Sequence, residues 1–200
     1  ATLVRADALL GFRWLPVYRF VEARPALHLA SAHVYDTIQW LPVLVIILLF
    51  ATGREARCWT FLLAWVVAVA ITLLLFPFFP AIAAGTYFKA APLIGVHGHL
   101  TWLQVLEGSR SGAIRMLDGQ SMVGLVTFPS FHAAAATILG WAFFTFRYLR
   151  WPMVVFNLAL ALSAIVIGGH YLVDIIGGAA IAALAIYLAV KFEHHGAAHS

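Results

Sequence analysis

The sequence predicts an all-α membrane bundle with about five spanning helices, and three observations carry that prediction. Of 200 residues, 64% are apolar and only 10% charged, against roughly one half and one quarter in a water-soluble domain. Mean hydropathy is +0.96. The apolar residues fall into runs near the roughly 20 residues that a helix needs to cross the hydrocarbon. Backbone groups in lipid must be satisfied within their own segment, so each run reads as a helix.

The elements follow in order. Residues 1–36 are less apolar and mix Arg5, Arg13, Arg19 and Arg24 with Trp14, Tyr18, Phe20 and Val21. That mixture reads as helices lying in the membrane interface. Spans are expected over Thr37 to Thr52, Trp59 to Phe76, Val123 to Phe146, Met153 to Gly168 and Tyr171 to Val190. The chain opens at Ala1 without an initiator Met, which leaves room for a sixth span before it. Residues 77–120 hold glycines, prolines, His97, His99 and several charges. They read as a long extracytoplasmic loop, and long loops often carry function. Residues 121–190 hold the catalytic helices of a single membrane domain over 1–200.

Charge placement sets the expected topology. Arg54 and Arg57, Arg147 and Arg150, and Lys191 fall on one side of five alternating spans, the cytoplasmic side by the positive-inside rule. The long loop and the starts of the third and fifth spans then share the other side. The four N-terminal arginines fall there too, against the rule. A formal charge of +4 in such short groups is a topology signal, and no nucleic-acid partner is expected. The lone Cys58 excludes an internal disulfide and a cysteine zinc cage.

Two motifs meet on that outer face. Phe128-Pro129-Ser130-Phe131-His132 opens the third span. Pro129 suits a first helical turn, and free N–H groups at a helix start form an anion site. Ser130 can add a hydroxyl donor. Gly168-Gly169-His170-Tyr171-Leu172-Val173-Asp174 opens the fifth span. His170 and Asp174, four apart, would share a helix face. A carboxylate there fixes the imidazole tautomer and leaves the other ring nitrogen for a substrate, as in a hydrolase triad with histidine as nucleophile. Gly169 would let a bulky anion approach the backbone. Asp174 is the only acidic residue in the last three expected spans. A charge deep in a span costs roughly 2.5–3.5 kcal/mol on insertion scales, so it is a functional residue by default.

These residues resemble the type-2 phosphatidic acid phosphatase superfamily, whose motifs read P-S-G-H and S-R-x5-H-x3-D. Here they read Pro129-Ser130-Phe131-His132, then Ser163-Ala164, five residues, His170, three residues and Asp174. Phe131 replaces the glycine and Ala164 the arginine, and the family's K-x6-R-P motif is not recognisable. A bulky residue before the first histidine and an H-Y-x-x-D motif are similar to the branch of inositol phosphorylceramide synthase. The resemblance covers roughly residues 105–190.

The resemblance implies a hydrolase of lipid phosphomonoesters or diphosphates. His170 would become phosphohistidine, Asp174 would orient it, and His132 would protonate the leaving oxygen and then activate water. With Ala164 in the arginine's place, Arg110 and Arg115 are the candidates for holding phosphate, with Ser130 and Gly169; Lys89 is a weaker one. No cofactor and no metal are expected: His97 and His99, and the tail histidines 194, 195 and 199, lack carboxylates at ligand spacing. The expected partners are a lipid phosphate and the bilayer, in a bacterial inner membrane with the site facing outward. A headgroup phosphotransferase, or a non-catalytic membrane subunit that keeps the fold, are the alternatives.

Overall fold

The computed structural model describes residues 2–79, 81–90, 108, 111–112 and 128–197. Among them every regular element is a helix, and the chain is a helical membrane bundle. Helices α1 (Thr2–Leu9), α2 (Trp14–Glu22) and α3 (Pro25–Asp36) come first, followed by a 3-10 turn (Thr37–Gln39) and α4 (Leu41–Ala51). Then come α5 (Glu55–Leu75), a short α6 (Ala84–Tyr87), α7 (Phe131–Phe143), α8 (Arg150–Val166) and α9 (Leu172–Ala197).

Each of the five predicted spans corresponds to a helix, but among the described residues only two are of spanning length. The stretches Glu55–Phe78 and Leu172–Glu193 are long and apolar enough to span alone. At 1.5 Å per residue, the 11 residues of α4 reach only about 16 Å. The first predicted span is therefore broken. Residues 37–39 form the 3-10 turn, and Pro25–Gln39 meets Leu41–Ala51 at a bend of 53°, with Pro42 in the first turn of α4. Helices α7 and α8, with 13 and 17 residues, are also short. Hydropathy windows detect apolar runs but not the caps and bends that end a helix inside one.

Of the residues in the expected interfacial helices, Trp14, Tyr18 and Val21 pack into the bundle. All three are buried, on one face of α2 at spacings of four and three, and only Phe20 of that group is exposed. Tyr18 and Phe88 stack on Trp14, with ring centroids 4.9 and 5.6 Å away. Three aromatics and four arginines read as an interface pattern, yet Trp14, Tyr18 and Val21 turn inward while Arg5, Arg13, Arg19 and Arg24 stay exposed.

Small residues set the spacing of the central helices. Ala133 to Ala136 on α7, Ala64 and Ala68 on α5, and Ala182, Ala185 and Ala189 on α9 are buried. Lipid supplies no hydrophobic force between helices, so small side chains that let backbones approach provide the packing. At Gly178 an added Cβ would lie 2.1 Å from the Ser130 carbonyl oxygen, and only glycine fits. Far from this crossing, Arg57 lies over the Trp141 ring at 3.3 Å and donates to its carbonyl at 2.8 Å. Arg54 covers Phe146, Arg150 covers Phe144, and Thr60 donates to Glu193. The predicted basic turns therefore meet at one end of the bundle.

Candidate active site

The opposite end carries both motifs, and each side chain there is placed by a helix start. Ser130 is the N-cap of α7: its backbone is extended, and its Oγ accepts from the Ala133 N–H at 3.4 Å. Pro129 therefore precedes the cap instead of occupying the first helical turn. His132 falls in that first turn. Ser130 is fully buried, and the cap uses its Oγ as an acceptor. Its N–H donates to the Asp174 carbonyl at 3.1 Å, tying the two motifs together. Phe131, which stands in the place of the family glycine, meets Trp65 of α5 edge-on at 5.5 Å.

The second motif straddles the start of its helix and does not lie along one face of it. Helix α9 begins at Leu172, leaving His170 in the connection from α8. The His170 N–H donates to the Ala164 carbonyl at 3.1 Å. Asp174 Oδ2 accepts from the Tyr171 N–H at 2.8 Å, reaching back over the first turn as the acidic half of a capping box does. The same oxygen lies 3.6 Å from His170 Nδ1, ion-pair range but longer than a hydrogen bond. Asp174 is wholly buried, and its Oδ1 has no hydrogen-bond partner among the described residues.

Glycine is required in this connection for the chain's own sake. Gly169 has φ +66°, and the Ala84 N–H donates to its carbonyl at 2.8 Å. Its missing side chain would point at Ala83 and the Gly85 backbone. Gly169 is buried beneath the segment around α6. A Cβ at Gly168 would press on the Ala164 carbonyl, the His170 ring and the Tyr35 ring at 2.8, 2.9 and 3.2 Å.

The outcome is two histidines side by side. The ring centroids of His132 and His170 are 6.5 Å apart, with planes inclined at 49°. Two partners escaped the sequence reading. Tyr35 stacks on His132 at 4.1 Å and 9°. Asp7 accepts from the Leu172 and Val173 N–H groups at 3.1 and 2.9 Å. Neither had a local signal, because both contacts join segments about 100 or more residues apart. Among the anion-holding candidates, Lys89 is exposed, with φ +49°. Arg110 and Arg115 lie outside the described residues, as do His97 and His99. Among the described residues no group of three or more His, Cys, Asp or Glu could hold a metal ion.

With this geometry in view, the comparisons are informative. A family model described as the PAP2 superfamily matches residues 1–188. Undecaprenyl-diphosphatase BcrC of Bacillus subtilis (strain 168) is 36% identical over 68 residues, 34% of this chain and 35% of that relative. The match thus spans about a third of the relative's length. No solved structure matches.

Proposed function

Because the chain belongs to the PAP2 superfamily, we propose that it removes phosphate from a lipid phosphomonoester or diphosphate through a phosphohistidine at His170. The supporting observation is the pairing of His132 with His170 at 6.5 Å between ring centroids, with Asp174 against Nδ1 of His170. A nucleophile held by a carboxylate and an acid on the adjacent helix are the two groups that this chemistry needs. The similarity to an undecaprenyl-diphosphatase puts lipid diphosphates first among substrates to assay.

Nε2 of His170 attacks phosphorus, and the bond from phosphorus to the lipid-side oxygen breaks. That oxygen takes a proton from His132. Water then gives a proton to the neutral His132 and attacks the phosphohistidine. The N–P bond breaks, inorganic phosphate leaves, and both histidines return to their starting states. The 3.6 Å between His170 Nδ1 and Asp174 shortens as the imidazole gains positive charge, since catalytic hydrogen bonds often tighten only in the reacting complex. Tyr35, flat on His132, holds that ring in plane. The basic turns at the far end support an extracytoplasmic site by the positive-inside rule.

The test is to incubate purified protein with a lipid diphosphate labelled in the terminal phosphate, then quench it. An acid-labile, base-stable label on the peptide containing His170 is expected. Labelled inorganic phosphate without a labelled peptide would sink the covalent route, and transfer of label to a second lipid would favour the phosphotransferase alternative. A smaller effect is expected for Tyr35→Leu. Stacked rings contribute about 0.5–1.5 kcal/mol, so kcat should fall by up to roughly tenfold. An unchanged kcat would remove Tyr35 from the site.

A further inference from the structure

We infer that Asp7 is a positioning residue for His170, acting through an N-terminal strap that holds both sides of the catalytic turn. This rests on the reading of His170 as nucleophile. The turn joins the end of α8 to the start of α9, and both of its glycines weaken its hold on its own shape. Trp14 fixes the upstream side: its indole N–H donates to the Ile165 carbonyl at 2.9 Å, and the ring is buried. Asp7 fixes the downstream side. Its two carboxylate oxygens accept from the Leu172 and Val173 N–H groups, and Asp7 is itself buried.

Those N–H groups are the ones a helix start leaves without partners. A carboxylate there is favoured by charge-assisted hydrogen bonding and by the helix dipole. A cap normally comes from a neighbouring residue, but here it arrives from 165 positions away. The consequence concerns Asp174. Three successive N–H groups need acceptors, and Asp174 serves only that of Tyr171. With Asp7 holding the other two, Oδ2 of Asp174 stays turned toward Nδ1 of His170. Without Asp7, the Leu172 and Val173 N–H groups compete for Asp174 and draw it off the imidazole.

The dependence on Asp174 separates positioning from general support of the fold. Asp7→Ala is expected to lower kcat about 10–100-fold, the scale of a misplaced catalytic group, while KM stays within about threefold. In an Asp174→Ala background the same change should cost little more, because both act through one contact. Additive losses, or an unchanged kcat in the single variant, would overturn the inference. Asp7→Asn keeps the shape and one acceptor and should recover part of the rate; if the alanine variant does not fold, it carries the same cycle. Amide exchange over residues 171–173 provides a readout without turnover and should rise in the variant but not elsewhere. Unchanged exchange there overturns the strap. A parent protein that releases no phosphate, beside a variant whose exchange rises, fails the phosphatase reading and keeps the strap.

Discussion

Replacing His170 with alanine is expected to lower kcat for phosphate release by on the order of 10⁴–10⁶-fold, the cost of deleting a nucleophile from a cooperative catalytic group. No neighbour can take over. His132 lies alongside, but its ring is stacked on Tyr35, and the carboxylate belongs to His170. KM for the lipid should move little, since binding of its apolar part does not use the imidazole. His33→Ala is the matched control: that histidine is exposed on α3, where its Nδ1 is bonded to the Leu29 carbonyl at 2.8 Å. Its rate should equal the parent's. Equal release from the His170 variant and the parent, on a panel of lipid phosphates and diphosphates, would reject catalysis here. It would favour a membrane subunit that has only kept the fold.

The second large effect is expected at a residue without chemistry. Gly178→Ala places a methyl group 2.1 Å from the Ser130 carbonyl oxygen, 3.0 Å from Ala133 Cβ and 3.1 Å from the Ala134 nitrogen. Two of these are backbone atoms of the first turn of α7, and no rotamer moves them aside. Helices α7 and α9 must separate, stretching the bond from the Ser130 N–H to the Asp174 carbonyl. His132 then moves away from His170. Overpacking typically costs 1–3 kcal/mol of stability, and about 1 Å of misplacement can cost roughly 100-fold in rate. A lower melting temperature and a lower kcat are therefore expected together. The glycines supply a graded series. At Gly177 the added atom would meet the Phe128 ring at 3.2 Å, and at Gly140 only Asn157 Cβ at 3.7 Å. Losses should rank Gly178 above Gly177 above Gly140, with Gly140→Ala nearly neutral. Equal losses at all three would mean that the α7–α9 crossing does not limit activity.

Residues with local signatures were the legible ones. His132, His170 and Asp174 stand at fixed spacings from Pro129-Ser130 and Gly168-Gly169. Alternating spans were enough to bring the two groups to one end of the bundle. The capping of α7 by Ser130 and of Tyr171 by Asp174 was hidden because the helix starts lie inside apolar runs. The motif residues therefore looked helical one or two positions too early. Trp14 was read by composition as an interface aromatic, although the spacing of Trp14, Tyr18 and Val21 already described a stripe that could turn inward.

By itself, then, the sequence determined the solvent, the helical class and the grouping of His132, His170 and Asp174. Each follows from composition or from spacing of a few residues along one chain segment. Tertiary structure alone decided what holds them: Tyr35 on His132, Asp7 and Trp14 on the turn that carries His170, and Gly178 beneath Ser130. Those contacts join segments from about 50 to 165 residues apart. Such pairings arise only when whole helices pack, because side-chain volume and unmet backbone N–H groups are settled between helices and leave no local pattern.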